Sequence, residues 1–204
     1  PAFIRRATLN PDTVGLNQIG TMTIDFSRSM ITDTMPLVSF HDARRGMQEM
    51  VGDYVSVMAK DALGRMWFGG SIGARMFDGR KWYTYTMSNS GIASNQIDTI
   101  YGAANGDVWF ANVFPSIPHH IAPLSRLRGS TWITYTDIQG IPLGGIRSIG
   151  EDALGGLWIA DGQPGVVHFD GVNGRRYTTV DGLGYDRVRA ITSDSNGNSW
   201  FIVD

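Results

Sequence analysis

His119 and His120 stand side by side in a proline-flanked stretch, and of the four histidines in this 204-residue chain they alone are adjacent enough to suggest metal binding or proton transfer. Neighbouring side chains on an extended backbone leave on opposite faces, so the pair does not clamp one cation, and no His-x-His or His-Glu spacing accompanies it. Pro115, Pro118 and Pro123 around them point to a long surface loop. Asp61, Asp152 and Asp194 recur along the chain and carry the atoms a calcium site needs. Each stands alone, without the Asp-x-Asp-x-Asp/Asn ladder of a calcium loop, so turn formation is the expected role. Trp67, Trp109, Trp158 and Trp200 offer faces that stack on sugar rings, but their recurrence at one repeated position argues for packing. Arg147, Arg187 and Arg189 remain as candidates for an anionic ligand group. No residue is assigned a catalytic or metal-binding role, and no cofactor is expected.

Composition narrows the classes further. Charged residues make up 18% of the chain, below the roughly 25% of ordinary soluble domains. Glycine, at 26 of 204 residues, is nearly double the usual share of about 7%, which implies many turns between short strands. A net charge of −2 gives no basic surface to neutralise phosphates, so nucleic acid is not an expected partner. The absence of cysteine excludes disulfide staples, thiolate-bound zinc and thiol catalysis. No stretch reaches the roughly 18 apolar residues of a membrane-spanning helix, and none resembles a signal peptide. The chain opens at Pro1 and closes on the apolar run Trp200 to Val203, so it reads as part of a longer protein.

The elements that position these residues follow from a repeat. DALGRMWFGG (61–70), AANGDVWFAN (103–112), DALGGLWIAD (152–161) and DSNGNSWFIV (194–203) align, with Gly64, Gly106, Gly155 and Gly197 each three residues before a Trp. Upstream of each glycine lie two apolar residues three apart, Val55/Met58, Ile97/Ile100, Ile146/Ile149 and Val188/Ile191. A second repeated half comprises MFDGRKWYTYT (76–86), LRGSTWITYT (127–136) and HFDGVNGRRYTTV (168–180), in which Trp82, Trp132 and Tyr177 are taken as equivalent. Each unit supplies four short strands. The apolar pair makes the first, Asp-x-x-Gly the turn, and the Trp segment the second. A turn at Ile72-Gly73 leads to the third, and Asp78-Gly79 or Asp170-Gly171 to a hairpin with the fourth. Spacings of 42, 49 and 42 residues between the tryptophans match one blade of a β-propeller.

These motifs resemble the two-component regulator propeller repeats, whose pattern runs apolar-x-x-apolar, Asp-x-x-Gly-x-x-Trp-x-Gly, then aromatic-Asp-Gly and aromatic-x-x-Tyr. The unit at 55–100 matches most completely; Ala103 replaces the Asp of the second, and Gly162-Gln163-Pro164-Gly165 lengthens a loop of the third. The expected fold is all-β, a partial propeller of about three and a half repeats over residues 51–204, with blades starting near 55, 97, 146 and 188. The resemblance implies an extracellular or periplasmic sensor that recognises a small molecule or glycan and acts with other domains of the same chain. Specificity is expected in the loops at Ser71-Ile72, Val113 to His120 and Gly162 to Pro164, with Arg147, Arg187 and Arg189 facing the central channel. Streptogramin-lyase-like propellers share the Gly-x-x-Trp-Phe strands, and that resemblance implies a His base beside a divalent cation, for which only His119 and His120 are available. A surface-assembly or adhesion module that packs against neighbouring copies is a further alternative.

Residues 1–50 lack the repeat. Met22 to Phe26 alternates as a strand and Leu37 to Phe40 forms a second apolar stretch, resembling the start of a bacterial Ig-like domain. A full Ig-like sandwich takes about 100 residues, so a truncated or split module is expected, with Met47 to Met50 as a linker turn.

Overall fold

A computed structural model describes residues 55–112, 123–194 and 196–204 in full and, before them, the strand backbones of residues 3–9, 22–27, 38–42 and 46–50. The chain divides into two compact units, Pro1–Val55 and Ser56–Asp204.

In the first unit β1 (Phe3–Leu9) pairs antiparallel with β2 (Met22–Ser27), and β3 (Val38–Asp42) with β4 (Gly46–Met50). Met47 to Met50 is therefore strand and not the expected linker turn, because its backbone pairs residue for residue with β3, Val38 opposite Met50.

The second unit is built from successive antiparallel sheets. β5 (Val55–Lys60), β6 (Met66–Gly70), β7 (Gly73–Phe77) and β8 (Trp82–Tyr85) form the first, in chain order. β9 (Ile97–Gly102), β10 (Val108–Asn112), β11 (Leu124–Arg128) and β12 (Thr131–Tyr135) form the second. A small hairpin of β13 (Asp137–Ile138) and β14 (Ile141–Pro142) follows. β15 (Ser148–Glu151), β16 (Leu157–Ala160), β17 (Val166–Phe169) and β18 (Gly174–Tyr177) form the third sheet, and β19 (Val188–Ser193) with β20 (Ser199–Val203) a two-stranded fourth. This is a partial β-propeller: three complete blades and half of another.

First strands lie against first strands. Ser56 Oγ donates to the Ile97 carbonyl at 3.4 Å, and Ser148 Oγ accepts the Ile191 N–H at 3.0 Å. Two of these strands carry a bulge, which explains the apolar spacing of three. In β9 the pairing skips Asp98, and in β19 it skips Arg189. One extra residue turns i and i+3 onto the same face, so Ile97 with Ile100 and Val188 with Ile191 are all buried. β5 departs from the expected Val55/Met58 pair. It alternates regularly, Val57 and Ala59 join the core, and Met58 is exposed.

Blades adhere through aromatic edges. Trp67 meets Phe110 of the next blade edge-on at 5.3 Å between ring centroids, and Trp158 meets Phe201 at 5.2 Å. In the third blade Ile159 holds the place of that Phe, and Trp109 reaches Phe169 instead, at 6.4 Å. Trp200 differs from the expected core role: it is 60% exposed, against 0% for Trp67. Among the described residues of the second unit no further sheet follows β20, so no next blade of that unit covers the face that its counterparts bury.

The second-half equivalence also needs correcting. Register pairs Ala74 with Tyr85, Leu124 with Tyr135 and Val166 with Tyr177. Tyr177 therefore matches Tyr85 and Tyr135, and the place of Trp82 and Trp132 is held by Gly174, opposite Phe169. The reason is packing. Ile138 of the β13–β14 hairpin fills that space, and a Cβ on Gly174 would lie 2.2 Å from its Cγ2.

Candidate functional site

The turn between first and second strand is built by a single carboxylate. Asp61 Oδ1 accepts the N–H groups of Leu63 and Arg65 at 3.0 and 2.9 Å, while Oδ2 accepts Trp67 Nε1 at 2.7 Å and Arg65 Nε at 2.6 Å. Asp194 repeats the pattern with Asn196, Asn198 and Trp200. Asp152 bonds Leu154 and Gly156, but its Oδ2 meets His168 Nε2 at 2.7 Å. Burial pushes the Asp61 carboxyl up, yet the bonds from Trp67 and Arg65 outweigh it and hold the group below its ordinary range. Bonds from Asn198 and Trp200 push Asp194 down to about 2. These carboxylates spend their lone pairs on the turn and on the repeat aromatic. Gly64, Gly106, Gly155 and Gly197 all take positive φ within these turns.

The opposite end of the blades is where the loops vary. In the third blade Gly165 has φ +88° and donates to the Asp186 carbonyl at 2.6 Å, and a Cβ there would lie 2.1 Å from the Tyr177 carbonyl oxygen. Gly73 makes the corresponding bond to Asn95 in the first blade, at 2.7 Å. This contact ties the loop between second and third strands to the segment that enters the next blade. Arg147, Gly162, Gln163, Pro164, Asp186 and Arg187 surround an open recess of about 200 Å³ there.

Three arginines meet at this end. Arg189 sits on the β19 bulge, which re-aims its side chain out of the sheet, and it pairs with Asp204. Arg187 Nε lies 3.8 Å from the other oxygen of Asp204. Arg147 holds the repeat position of Arg189, immediately after the first apolar residue of its pair. The hydrogen bond from Arg189 lowers the Asp204 carboxyl, and the charges of Arg187 and Arg147 lower it further. The structure thus brings together all three arginines singled out in the sequence. His119, His120 and the loop from Val113 lie outside the described residues.

Asp161, Arg176 and Asn112 are contributors that the sequence reading passed over. Asp161 is fully buried, accepts two bonds from Arg176 at 2.9 and 2.7 Å, and receives the Gly144 N–H at 3.2 Å. Asn112, at the same repeat position, donates to the Ser94 carbonyl and accepts from Ser125 Oγ. Both latch the incoming loop to the end of the second strand. Their signal was a polar residue closing an otherwise apolar Trp segment.

Comparison with solved structures places the fold in context. The extracellular domain of BT3049 from B. thetaiotaomicron, described as a hybrid two component system, matches at TM-score 0.56 and 18% identity, covering 87% of this chain and 29% of that one. The extracellular domain of BT4673 from the same organism, described likewise, matches at 0.53 and 17%, covering 98% and 35%. Catalytically inactive virginiamycin B lyase from Staphylococcus aureus, solved with quinupristin, matches at 0.59 and 15%, covering 99% and 64%. The chain thus spans about a third or less of the two extracellular domains of two component systems. No protein-family model and no curated protein sequence matches the chain. At these identities the likeness shows the propeller fold. No helix among the described residues is long and apolar enough to cross a membrane.

Proposed function

We propose that the chain is a ligand-recognition module of an extracytoplasmic sensor protein, non-enzymatic, binding a small anionic molecule or acidic glycan at its loop end. The observation that carries this reading is the meeting of Arg147, Arg187 and Arg189 beside a recess framed by the variable Gly162 to Pro164 loop. Asp204 answers only part of that positive charge, and a guanidinium fork suits carboxylate or sulfate groups. The likeness to extracellular domains of two component systems supports the location and the role. In this reading residues 1–50 are the truncated or split Ig-like segment that precedes the propeller in the sequence.

Thermal-shift and glycan-array screening of the chain against neutral and acidic oligosaccharides tests it. An acidic hit that is lost in Arg147→Ala and in Arg187→Ala is expected. A hit indifferent to both substitutions overturns the assignment of the site. Turnover of a streptogramin, with a metal requirement abolished by His120→Ala, replaces the sensor reading with the lyase one.

The exposure of Trp200 and Ile202 on the last sheet favours a second reading, a module that packs against neighbouring copies. Light scattering over a concentration series decides: growth in mass supports it, and a strict monomer removes it.

A further inference from the structure

A second recess, of about 250 Å³, opens between the second and third blades at the turn end, away from the arginines above. Ala103, Trp109, Arg126, Leu157 and Phe169 are among its walls. Arg126 is only 8% exposed, and its Nε is buried with no hydrogen-bond partner. Among the described residues it forms no ion pair. Its guanidinium lies against two rings that themselves pack together, 5.4 Å from the Trp109 centroid and 5.5 Å from that of Tyr135. Rings stabilise a cation but accept no in-plane hydrogen bond, and a buried charge ordinarily has an anionic or hydrogen-bonding partner.

The repeat shows which partner belongs there. The residue paired across the strand from the repeat Trp is Met76, Arg126 or His168 in successive blades. In the third blade His168 is met at 2.7 Å by Asp152 of the turn. The residue at that turn position in the second blade is Ala103, so Arg126 faces the place of a carboxylate that its own blade does not provide. Neighbouring acids do not supply it. Asp107 is held by both arms of Arg128, at 2.8 and 2.7 Å, and Asp170 by the N–H groups of Val172 and Asn173.

We infer that this recess binds a small organic monocarboxylate, whose carboxylate takes the role of the missing turn Asp on Arg126 while its apolar body lies on Leu157 and Phe169. Both of these are buried wall residues. A dianion such as phosphate fits worse, because Asp107, Asp170 and the unpartnered Glu151 Oε1 beside Gly155 all oppose additional negative charge.

Calorimetric titration of the whole chain with benzoate tests the inference, with benzamide and inorganic phosphate as comparisons. Saturable one-to-one binding of benzoate is expected, weakened about tenfold or more in Arg126→Met, as loss of a charged hydrogen bond implies. Ala103→Asp restores an internal carboxylate, so that variant is expected to stay folded, melt higher and lose benzoate binding. It keeps the inference testable should Arg126→Met fail to fold. Absence of saturable binding overturns it, as does benzoate affinity unchanged in Ala103→Asp. Benzamide or phosphate binding as tightly as benzoate overturns the assigned chemistry.

Discussion

Asp61 carries four hydrogen bonds on two oxygens, and that density explains why one residue type recurs at the turn. Oδ1 closes the turn through backbone N–H groups, and Oδ2 fixes the indole that packs against the next blade. Asp61→Asn keeps an acceptor for the turn but loses the charge that Arg65 and Trp67 address. A loss of about 2 kcal/mol is expected at neutral pH, the scale of a hydrogen bond to an ionised group, measured by urea denaturation. The pH dependence follows from the lowered carboxyls of Asp61, Asp152 and Asp194. A carboxyl that is depressed in the folded state stabilises fully above its unfolded value of about 4, and that stabilisation is lost as pH falls through the folded value. With Asp194 pushed down to about 2, stability should fall progressively from about pH 4 towards pH 2. The gap between wild type and Asp61→Asn should narrow as pH falls below about 4, because the Asp61 carboxyl is also held below its ordinary range. A gap that stays constant down to pH 2 contradicts this account of the turn.

At the scale of elements, the third blade departs most instructively from the other two. Its fourth strand lacks the Trp of β8 and β12, and a short hairpin between blades supplies Ile138 to the same space. Gly174→Ala is therefore expected to destabilise by about 1–3 kcal/mol through overpacking. Adding Ile138→Ala should cost less in that background than in wild type, because the two residues compete for one volume. Thermal unfolding of the four-member cycle reads the coupling; strict additivity would mean that Ile138 is not what excludes a side chain from position 174. The latches at the blade ends obey similar logic. Asp161→Ala leaves the Gly144 N–H without its acceptor and Arg176 without its anionic partner, with only the Pro142 and Pro164 carbonyls to bond, so a loss of roughly 3 kcal/mol is expected, the lower end of the range for breaking a buried ion pair. Denaturant unfolding at neutral pH measures it.

For the whole second unit, stability is graded around the propeller. The second and third four-stranded sheets each lie between two neighbours, whereas β19 and β20 form a two-stranded sheet packed on the third blade. A two-stranded sheet is marginal without packing, so hydrogen exchange should be fastest in β20 and slowest in β10 and β16. Acrylamide should quench a Trp200 component that disappears in Trp200→Phe, while Trp67, buried between Tyr85 and Phe110, stays protected. Equal protection of both tryptophans in the isolated chain would mean that something covers the last sheet, and association between copies is then the explanation to measure.

Much of this was legible in the sequence because a propeller blade is a local object. Asp, Gly and Trp at fixed offsets set a turn and a strand within ten residues, and period-two alternation identifies the hairpin that follows. Blade count, strand order and the turn role of Asp61, Asp152 and Asp194 all follow from such short-range rules. The meeting of Arg147, Arg187 and Arg189 was only half legible: their positions beside the inner apolar pairs were visible, but the bulge that aims Arg189 at Asp204 depends on pairing with β20. What the tertiary structure alone decided arises between units. Gly174 is explained only by Ile138, the exposure of Trp200 only by the packing around the β19–β20 sheet, and the unpartnered charge of Arg126 only by the strand register that sets it opposite Trp109 and near Ala103. Periodicity along the chain specifies what each residue does for its own blade, whereas packing across blades depends on distances that no offset in the sequence encodes.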